Sequence, residues 1–105
     1  MTEKFVKLAS LDDLRTSKLI RAAKGEKHIC LAYVDGDIYA VDDMCSHEDA
    51  SLSKGSLHEN CVKCPLHGSR FNLETGEAID EPAEEPISTY AVKVLGDDIL
   101  VALRD

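Results

Sequence analysis

Short stretches in which apolar and polar residues alternate follow one another along the chain, and turn-forming residues separate them. Residues 4–8 alternate as a half-buried edge strand does. Residues 28–41 contain two β-rich runs around an Asp-Gly pair at 35–36, which readily takes the positive φ angles of a tight hairpin turn. Residues 57–63 predict a second, shorter hairpin, and residues 90–103 predict a third around a Gly-Asp-Asp turn.

The segments between these hairpins give weaker signals. Ser10 can cap a single helical turn that ends near Leu14, and such a turn is too short to be stable alone. Residues 18–22 and 69–72 predict short strands, whereas residues 80–86 form an acidic connector with two prolines. No segment has helical periodicity over the roughly 10–12 residues that a helix prediction requires. Many short strands joined by turns predict an all-β fold, an antiparallel β-sandwich or small barrel.

The length of 105 residues is near the common size of one domain and allows a single modest core. Two stretches with paired cysteines and histidines interrupt the strand pattern, as loops inserted into a β framework would. We therefore predict a single domain, 1–105, in which residues 1–43 and 69–105 form the basal framework. Residues 44–68 then form an inserted subdomain of two loops.

The chain is acidic, with a formal net charge of −8. Residues 1–54 hold 8 basic and 10 acidic residues, for a charge of −2, and residues 55–105 hold 4 and 10, for −6. This excess argues against nucleic acid or an anionic membrane surface as a partner, and it suits docking onto a positively charged protein face. An acidic surface also serves solubility alone, so charge does not decide between these interpretations.

Features of secreted or membrane proteins are not evident. The start, residues 1–6, has no basic region followed by an apolar run, and no stretch of about 18 apolar residues occurs. We expect a soluble, cytoplasmic monomer. Without a secretory signal, metal ligation is a better interpretation than two disulfides for at least two of the 4 cysteines.

The chemical centre of the sequence consists of a C-x-H motif at 45–47 and a C-x-x-H motif at 64–67. Each motif pairs one thiolate with one imidazole, and 16 residues separate His47 from Cys64. Two soft ligands and two borderline ones suit a metal centre. The short spacers fix each pair on its own loop, so two such loops that meet tip to tip would surround the metal.

Two alternatives use some of the same residues. Structural zinc accepts two cysteines and two histidines, although zinc fingers usually space the cysteines by two to four residues and the histidines by three to five. Cys61 and Cys64 also form a C-x-x-C motif, which serves zinc or thiol redox chemistry in other proteins. A thiol redox motif should open a helix, whereas this one ends a β-type run and precedes Pro65. Cys30, Cys61, His28 and His58 are not expected to be ligands: Cys30 should be a core thiol, and both histidines should face solvent.

The residues C-P-L-H-G-S-R-F at 64–71, followed by L-E-T-G-E at 73–77, resemble the second cluster loop and next strand of bacterial Rieske-type ferredoxins. Residues 45–47 and 51–55 are similar to the first loop of that family, so the resemblance covers nearly the whole chain. It implies the Rieske fold and one Rieske-type 2Fe–2S cluster, in which two cysteines hold one iron and two histidines the other. The ligands on this resemblance are Cys45, His47, Cys64 and His67.

Ferredoxins of this family pass single electrons from a flavin-dependent NAD(P)H reductase to the terminal Rieske oxygenase of an aromatic-ring-hydroxylating dioxygenase system. The resemblance therefore implies an electron carrier of aromatic hydrocarbon catabolism rather than an enzyme. Two alternative functions are an accessory small subunit of a reductase such as nitrite reductase, whose members often lack the ligands, and a structural zinc module.

Departures from the Rieske subunits of respiratory complexes are also informative. Ala50 or its neighbours and Leu66 occupy the places where those proteins have two disulfide-bonded cysteines. Ser69 matches a serine that hydrogen-bonds the cluster there, whereas Phe71 replaces a tyrosine and has no hydroxyl. We expect Ser69, Phe71 and Pro65 to lie beside the ligands. With fewer donors to the cluster, the reduction potential should be near the low end of the Rieske range, about −150 mV.

Overall fold

The computed structural model describes residues 3–24, 27–44, 51–65, 68–79 and 85–104. Within these residues the chain forms ten strands in three antiparallel sheets. The strands are β1 (Glu3–Ser10), β2 (Leu19–Lys24), β3 (Lys27–Val34), β4 (Asp37–Asp42), β5 (Ser56–His58), β6 (Cys61–Lys63), β7 (Arg70–Asn72), β8 (Thr89–Tyr90), β9 (Val92–Leu95) and β10 (Asp98–Arg104). A helix, α1 (Leu11–Ser17), follows β1, and a 3₁₀ turn (Leu52–Lys54) precedes β5. The predicted all-β antiparallel fold is confirmed.

The central sheet has the order β2-β3-β4-β8 and is built on the first predicted hairpin. Val34 pairs with Asp37, which leaves a loop of the two residues Asp35 and Gly36 between the strands. Their φ angles are 49° and 88°, and a two-residue loop with both φ angles positive matches the right-handed twist of the strands it joins. The local turn chemistry therefore determines the register of this hairpin.

Both faces of the central sheet are covered. Strand β3 contains the continuous apolar run Ile29 to Ala32, all of it buried, as expected of a strand with packed side chains on both faces. One face belongs to a group of buried residues that we call the site-side core: Cys30, Ala32, Val41, Leu52, Val62, Cys64, Phe71, Leu73 and Ile87. The other face belongs to the helix-side core: Leu14, Ala22, Ile29, Leu31, Ala40, Ile99, Val101 and Leu103. Successive residues of β3 alternate between these two cores.

The helix-side core is closed by α1 and by a sheet of order β1-β10-β9. The Ser10 hydroxyl accepts a hydrogen bond from the Asp13 amide at 3.1 Å, so the predicted cap is present. The helix is 7 residues long and exceeds the single turn expected from the sequence. Burial of Leu14 in the core supplies stabilisation that a short isolated helix lacks.

The last hairpin begins later than the sequence predicts. Tyr90 was expected at its start, and this is wrong: Tyr90 lies in β8 and pairs with Ala40 of β4. Its hydroxyl donates a hydrogen bond to Asp42 Oδ1 at 2.5 Å. The chain passes from the central sheet to the β1-β10-β9 sheet at Ala91, and β9 then pairs with β10 through a loop of Gly96 and Asp97.

The site-side core is closed by the small sheet β5-β6-β7. Its first hairpin confirms the one predicted at 57–63: His58 pairs with Cys61, and Glu59 in the turn has a φ angle of 54°. Strand β7 belongs to this sheet although it lies in the predicted basal framework, so the division of the chain at residue 68 stays a prediction. Within the described residues, no helix is long and apolar enough to cross a membrane.

Candidate metal centre

The second predicted ligand loop is a tight connection between β6 and β7. The Cys64 amide donates to the Ser69 carbonyl at 2.8 Å, and the Gly68 amide donates to the Cys64 carbonyl at 3.2 Å. Gly68 has a φ angle of 76°, in the left-handed region that glycine enters without strain. These two bonds hold the ends of the 64–69 segment together and fix the backbone of Cys64.

The Cys64 side chain is almost completely shielded from water. It is 1% exposed and belongs to the site-side core together with Leu52, Val62 and Phe71. A thiolate is the ligand type that iron–sulfur clusters use, and an apolar shell limits access of solvent to the metal. The environment of Cys64 therefore fits a cluster ligand, and when bound such a cluster supplies reversible one-electron acceptance.

The other three predicted ligands, Cys45, His47 and His67, lie outside the described residues. Among the residues that the structure does describe, no three side chains of His, Cys, Asp or Glu come together as a metal site. The structure brings the flanks of the first loop together, because Met44 and Ser51 form an antiparallel bridge. The four-ligand set as a whole thus remains a prediction.

The three residues expected beside the ligands differ in exposure. Ser69 and Phe71 are completely buried, and Phe71 pairs with Val62 across β6 and β7. Pro65 is exposed and lines a surface cavity of about 480 Å³ beside Cys64. Lys54 and Lys63 line the same cavity, which places two positive charges next to the second loop.

The remaining cysteines and histidines are placed as the sequence predicts. Cys30 is completely buried, and burial together with the charge of Asp43 raises the pKa of its thiol well above the usual value. It is therefore a protonated core thiol. Cys61 lies partly exposed in β6, and both His28 and His58 are exposed. His58 Nε2 lies 3.1 Å from the Ser56 hydroxyl, and His28 contacts the Arg21 guanidinium.

The sequence analysis missed Asp43, which lies two residues before Cys45. Its carboxylate is 3% exposed and accepts hydrogen bonds from the Ser53 amide at 2.9 Å and the Ser51 hydroxyl at 2.5 Å. Aspartate and serine residues commonly bind neighbouring backbone amides in this way at turns. The sequence did contain a signal for this contact: an Asp precedes the C-x-H motif at 45–47 and a Ser-x-Ser pattern follows it.

Comparison with known proteins gives consistent matches. A family model described as "Rieske [2Fe-2S] domain" matches residues 4–91. The biphenyl 2,3-dioxygenase ferredoxin component of Rhodococcus jostii (strain RHA1) is 40% identical over 98 residues, which are 93% of this chain and 92% of that protein. A solved ferredoxin of carbazole 1,9a-dioxygenase from Nocardioides aromaticivorans IC177 is 31% identical, with a TM-score of 0.89 over 96% of this chain and 99% of that chain. A chain in a solved complex of reduced oxygenase and oxidized ferredoxin in carbazole 1,9a-dioxygenase is 30% identical, with a TM-score of 0.86 over 93% and 92%.

Proposed function

The chain belongs to the Rieske [2Fe–2S] domain family and is an electron carrier with one such cluster, and we propose that it serves the terminal oxygenase of an aromatic-ring dioxygenase system. The resemblance and the Rieske fold predicted from the sequence are confirmed. The chain is accordingly not an enzyme by itself, and the zinc alternative is wrong because the family carries iron–sulfur.

We propose Cys45, His47, Cys64 and His67 as the cluster ligands. The observation that carries this proposal is Cys64, whose buried thiol directly follows β6 within the segment that the family model matches. The proposed cluster-binding subdomain, about residues 44–68, is supported by the bridge that closes the first loop and the two bonds that close the second.

The proposed site has buried apolar residues on one side and exposed residues on the other. Leu52, Val62 and Phe71 exclude water from Cys64, and this limits solvent reorganisation when charge changes at the site. Pro65 and Met44, which is 52% exposed, flank the two loops on the surface. A partner that approaches these exposed residues would come close to the proposed histidine ligands.

The partners follow from the relatives by analogy. The oxygenase in the carbazole 1,9a-dioxygenase complex binds its ferredoxin, and an oxygenase of the same class is the partner we propose for this chain. A flavin-dependent NAD(P)H reductase would supply the electron, and a carrier that meets such a reductase would work in the cytoplasm, as a monomer that dissociates after each transfer. The net charge of −8 would steer these encounters, so electron transfer should slow as salt is added.

Substitution of selected cysteines and histidines tests the ligand assignment. Cys64→Ser should abolish the visible absorption and the electron paramagnetic resonance signal of the reduced protein. Cys61→Ser is the matched control and should retain both. Likewise, loss of the signal is expected for His47→Ala and for His67→Ala, but not for the exposed His58→Ala. A normal signal in Cys64→Ser would overturn the assignment.

The potential gives an independent test of histidine ligation. His47→Cys should lose the cluster or lower its potential by roughly 100 mV or more, because clusters with four cysteines lie near −400 mV. Turnover of an aromatic dioxygenase, reconstituted with its reductase and this chain, tests the partners. If no reduced cluster is reoxidised by any such oxygenase, the proposed partner is wrong while the ligand assignment stands.

A further inference from the structure

The buried Asp43 carboxylate joins residues that are close in space and separated in sequence by the first loop. The carboxylate accepts hydrogen bonds from the Ser51 hydroxyl and the Ser53 amide. Its Oδ2 atom also lies 3.3 Å from Nε of Arg21, a half-exposed side chain on β2. Burial of a carboxylate is costly unless charged or polar donors surround it. All three donors point at this one carboxylate, so they compensate for its burial.

Backbone bonds reinforce the same closure. The Leu52 amide donates to the Asp43 carbonyl at 2.6 Å, and Met44 and Ser51 form a bridge. The residues that flank 45–50, Met44 and Ser51, therefore lie beside each other. Closing the ends of a segment before a metal binds removes conformational freedom that binding would otherwise have to remove.

We propose that Asp43 is a positioning residue that holds Cys45 and His47 in place for the cluster by fastening the two ends of their loop. This inference rests on the proposed function, because it takes Cys45 and His47 to be ligands. Asp43 itself does not contact the metal in this proposal; it acts through the Ser51 hydroxyl and the Ser53 amide. Without the carboxylate, the loop holds the two ligands less tightly, so the cluster is released faster and its ligand geometry becomes less uniform.

The neighbouring residue, Asp42, provides a matched control for charge. Its Oδ2 atom accepts a hydrogen bond from the Ser88 amide at 3.0 Å, and its Oδ1 atom accepts one from the Tyr90 hydroxyl. Asp42 thus fastens the segment that contains Ser88 and Tyr90, and its carboxylate is one residue away from that of Asp43 in the sequence. Asp42→Asn and Asp43→Asn remove the same formal charge, but only the second weakens the fastening of the first loop. The asparagine amide keeps one acceptor oxygen and places an NH2 group where Oδ2 of Asp43 accepts from Ser51 and faces Arg21.

The serines provide a second pair in which no charge changes. Ser51→Ala removes the hydroxyl that donates to Asp43 Oδ2. Ser53→Ala leaves the bond to Asp43 intact, because that bond uses the Ser53 backbone amide. The Ser53 hydroxyl lies 2.9 Å from the Ser51 hydroxyl and makes no bond to the Asp43 carboxylate that Ser53→Ala would remove.

The experiment measures the rate at which an iron chelator removes the cluster from the purified holoprotein, together with the electron paramagnetic resonance spectrum of the reduced protein. Asp43→Asn should lose the cluster at least about ten times faster than the original chain, and its spectrum should show a wider spread of g-values. Ser51→Ala should lose it about three-fold faster. Asp42→Asn and Ser53→Ala should stay within about two-fold of the original chain and keep its spectrum.

The outcomes separate this inference from the proposed function. If the original chain shows no Rieske-type signal, the proposed function is wrong and the inference fails with it. If the original chain has the signal but Asp43→Asn matches Asp42→Asn, and Ser51→Ala matches Ser53→Ala, the proposed function stands and Asp43 has no positioning role. Should Asp43→Asn fail to fold, the serine pair decides: equal rates of cluster loss overturn the inference.

Discussion

Removal of one leucine from each core should separate the stability of the fold from the stability of the metal site. Leu52 and Leu31 are both completely buried, but Leu52 lies in the site-side core with Cys64, and Leu31 lies in the helix-side core. Replacing a buried leucine by alanine removes apolar contacts and leaves a cavity, at a cost of about 2–5 kcal/mol. Leu95, which is 54% exposed, is the matched control, and its replacement should change the free energy of unfolding by less than about 0.5 kcal/mol.

The assay is urea unfolding of the holoprotein followed by two signals. Far-ultraviolet circular dichroism reports the strands, and visible circular dichroism reports the cluster. Both Leu52→Ala and Leu31→Ala should lower the urea midpoint of the strand signal by at least about 0.7 M, given a slope of about 1–3 kcal/mol per M. Only Leu52→Ala should lose the visible signal before the strands unfold, because its cavity opens beside Cys64.

The order in which Leu31→Ala and Leu52→Ala lose the cluster and the strands can refute this reasoning. If Leu31→Ala releases the cluster ahead of the strands to the same extent as Leu52→Ala, the two faces of the central sheet do not act as separate units. If Leu52→Ala keeps coincident transitions, burial of Cys64 contributes no stability of its own to the metal site. Leu95→Ala should follow the original chain in both signals.

Three further outcomes are expected. Gly76→Ala should destabilise the fold more than Gly36→Ala, as measured by urea unfolding: both φ angles are positive, at 81° and 88°, but only at Gly76 would the new Cβ lie 2.0 Å from the Ile87 carbonyl oxygen. Burial and the hydrogen bond to Asp42 raise the pKa of Tyr90, so the folded chain keeps this proton at a pH where the unfolded chain loses it. The contribution of Tyr90 to stability should therefore be level below about pH 10 and fall above it, and Tyr90→Phe should reduce the loss of stability above that pH. The reduction potential should be level near neutral pH and fall in alkali, because iron held by the proposed histidine ligands would acidify their imidazole N–H groups. A level potential throughout the alkaline range would contradict histidine ligation.

The hairpins could be predicted from the sequence because short-range chemistry determines them. Asp35 and Gly36 take positive φ angles, and the strands on either side then have one register. The same holds for the turn at Glu59 and Asn60 between β5 and β6. In each case the residues that decide the structure lie within a few positions of one another.

Features that depend on distant residues were not predictable in this way. Tyr90 lies in a β-rich run and reads as the start of the last hairpin, but pairing with Ala40 and the bond to Asp42 place it in the central sheet. The role of Asp43 was hidden for the same reason, since one of its partners, Arg21, is 22 positions away in the sequence. The proposed ligands, by contrast, were predicted from two short motifs, and such a prediction needs no tertiary contacts.

Side chains alternate between the two faces of β3 and β4, so neighbouring residues contact different parts of the protein. Cys30 faces the site-side core and Leu31 the helix-side core. At the end of β4, its last residue, Asp42, and the next residue, Asp43, fasten two different segments. A one-residue shift in register would exchange every one of these contacts, so the Asp-Gly turn that sets the register also determines which carboxylate reaches the first loop. The first proposed ligand loop is therefore attached directly to the β3–β4 hairpin, whose residues Ile29 to Ala32 are buried, and a rigid attachment suits a carrier whose site must change charge with little movement.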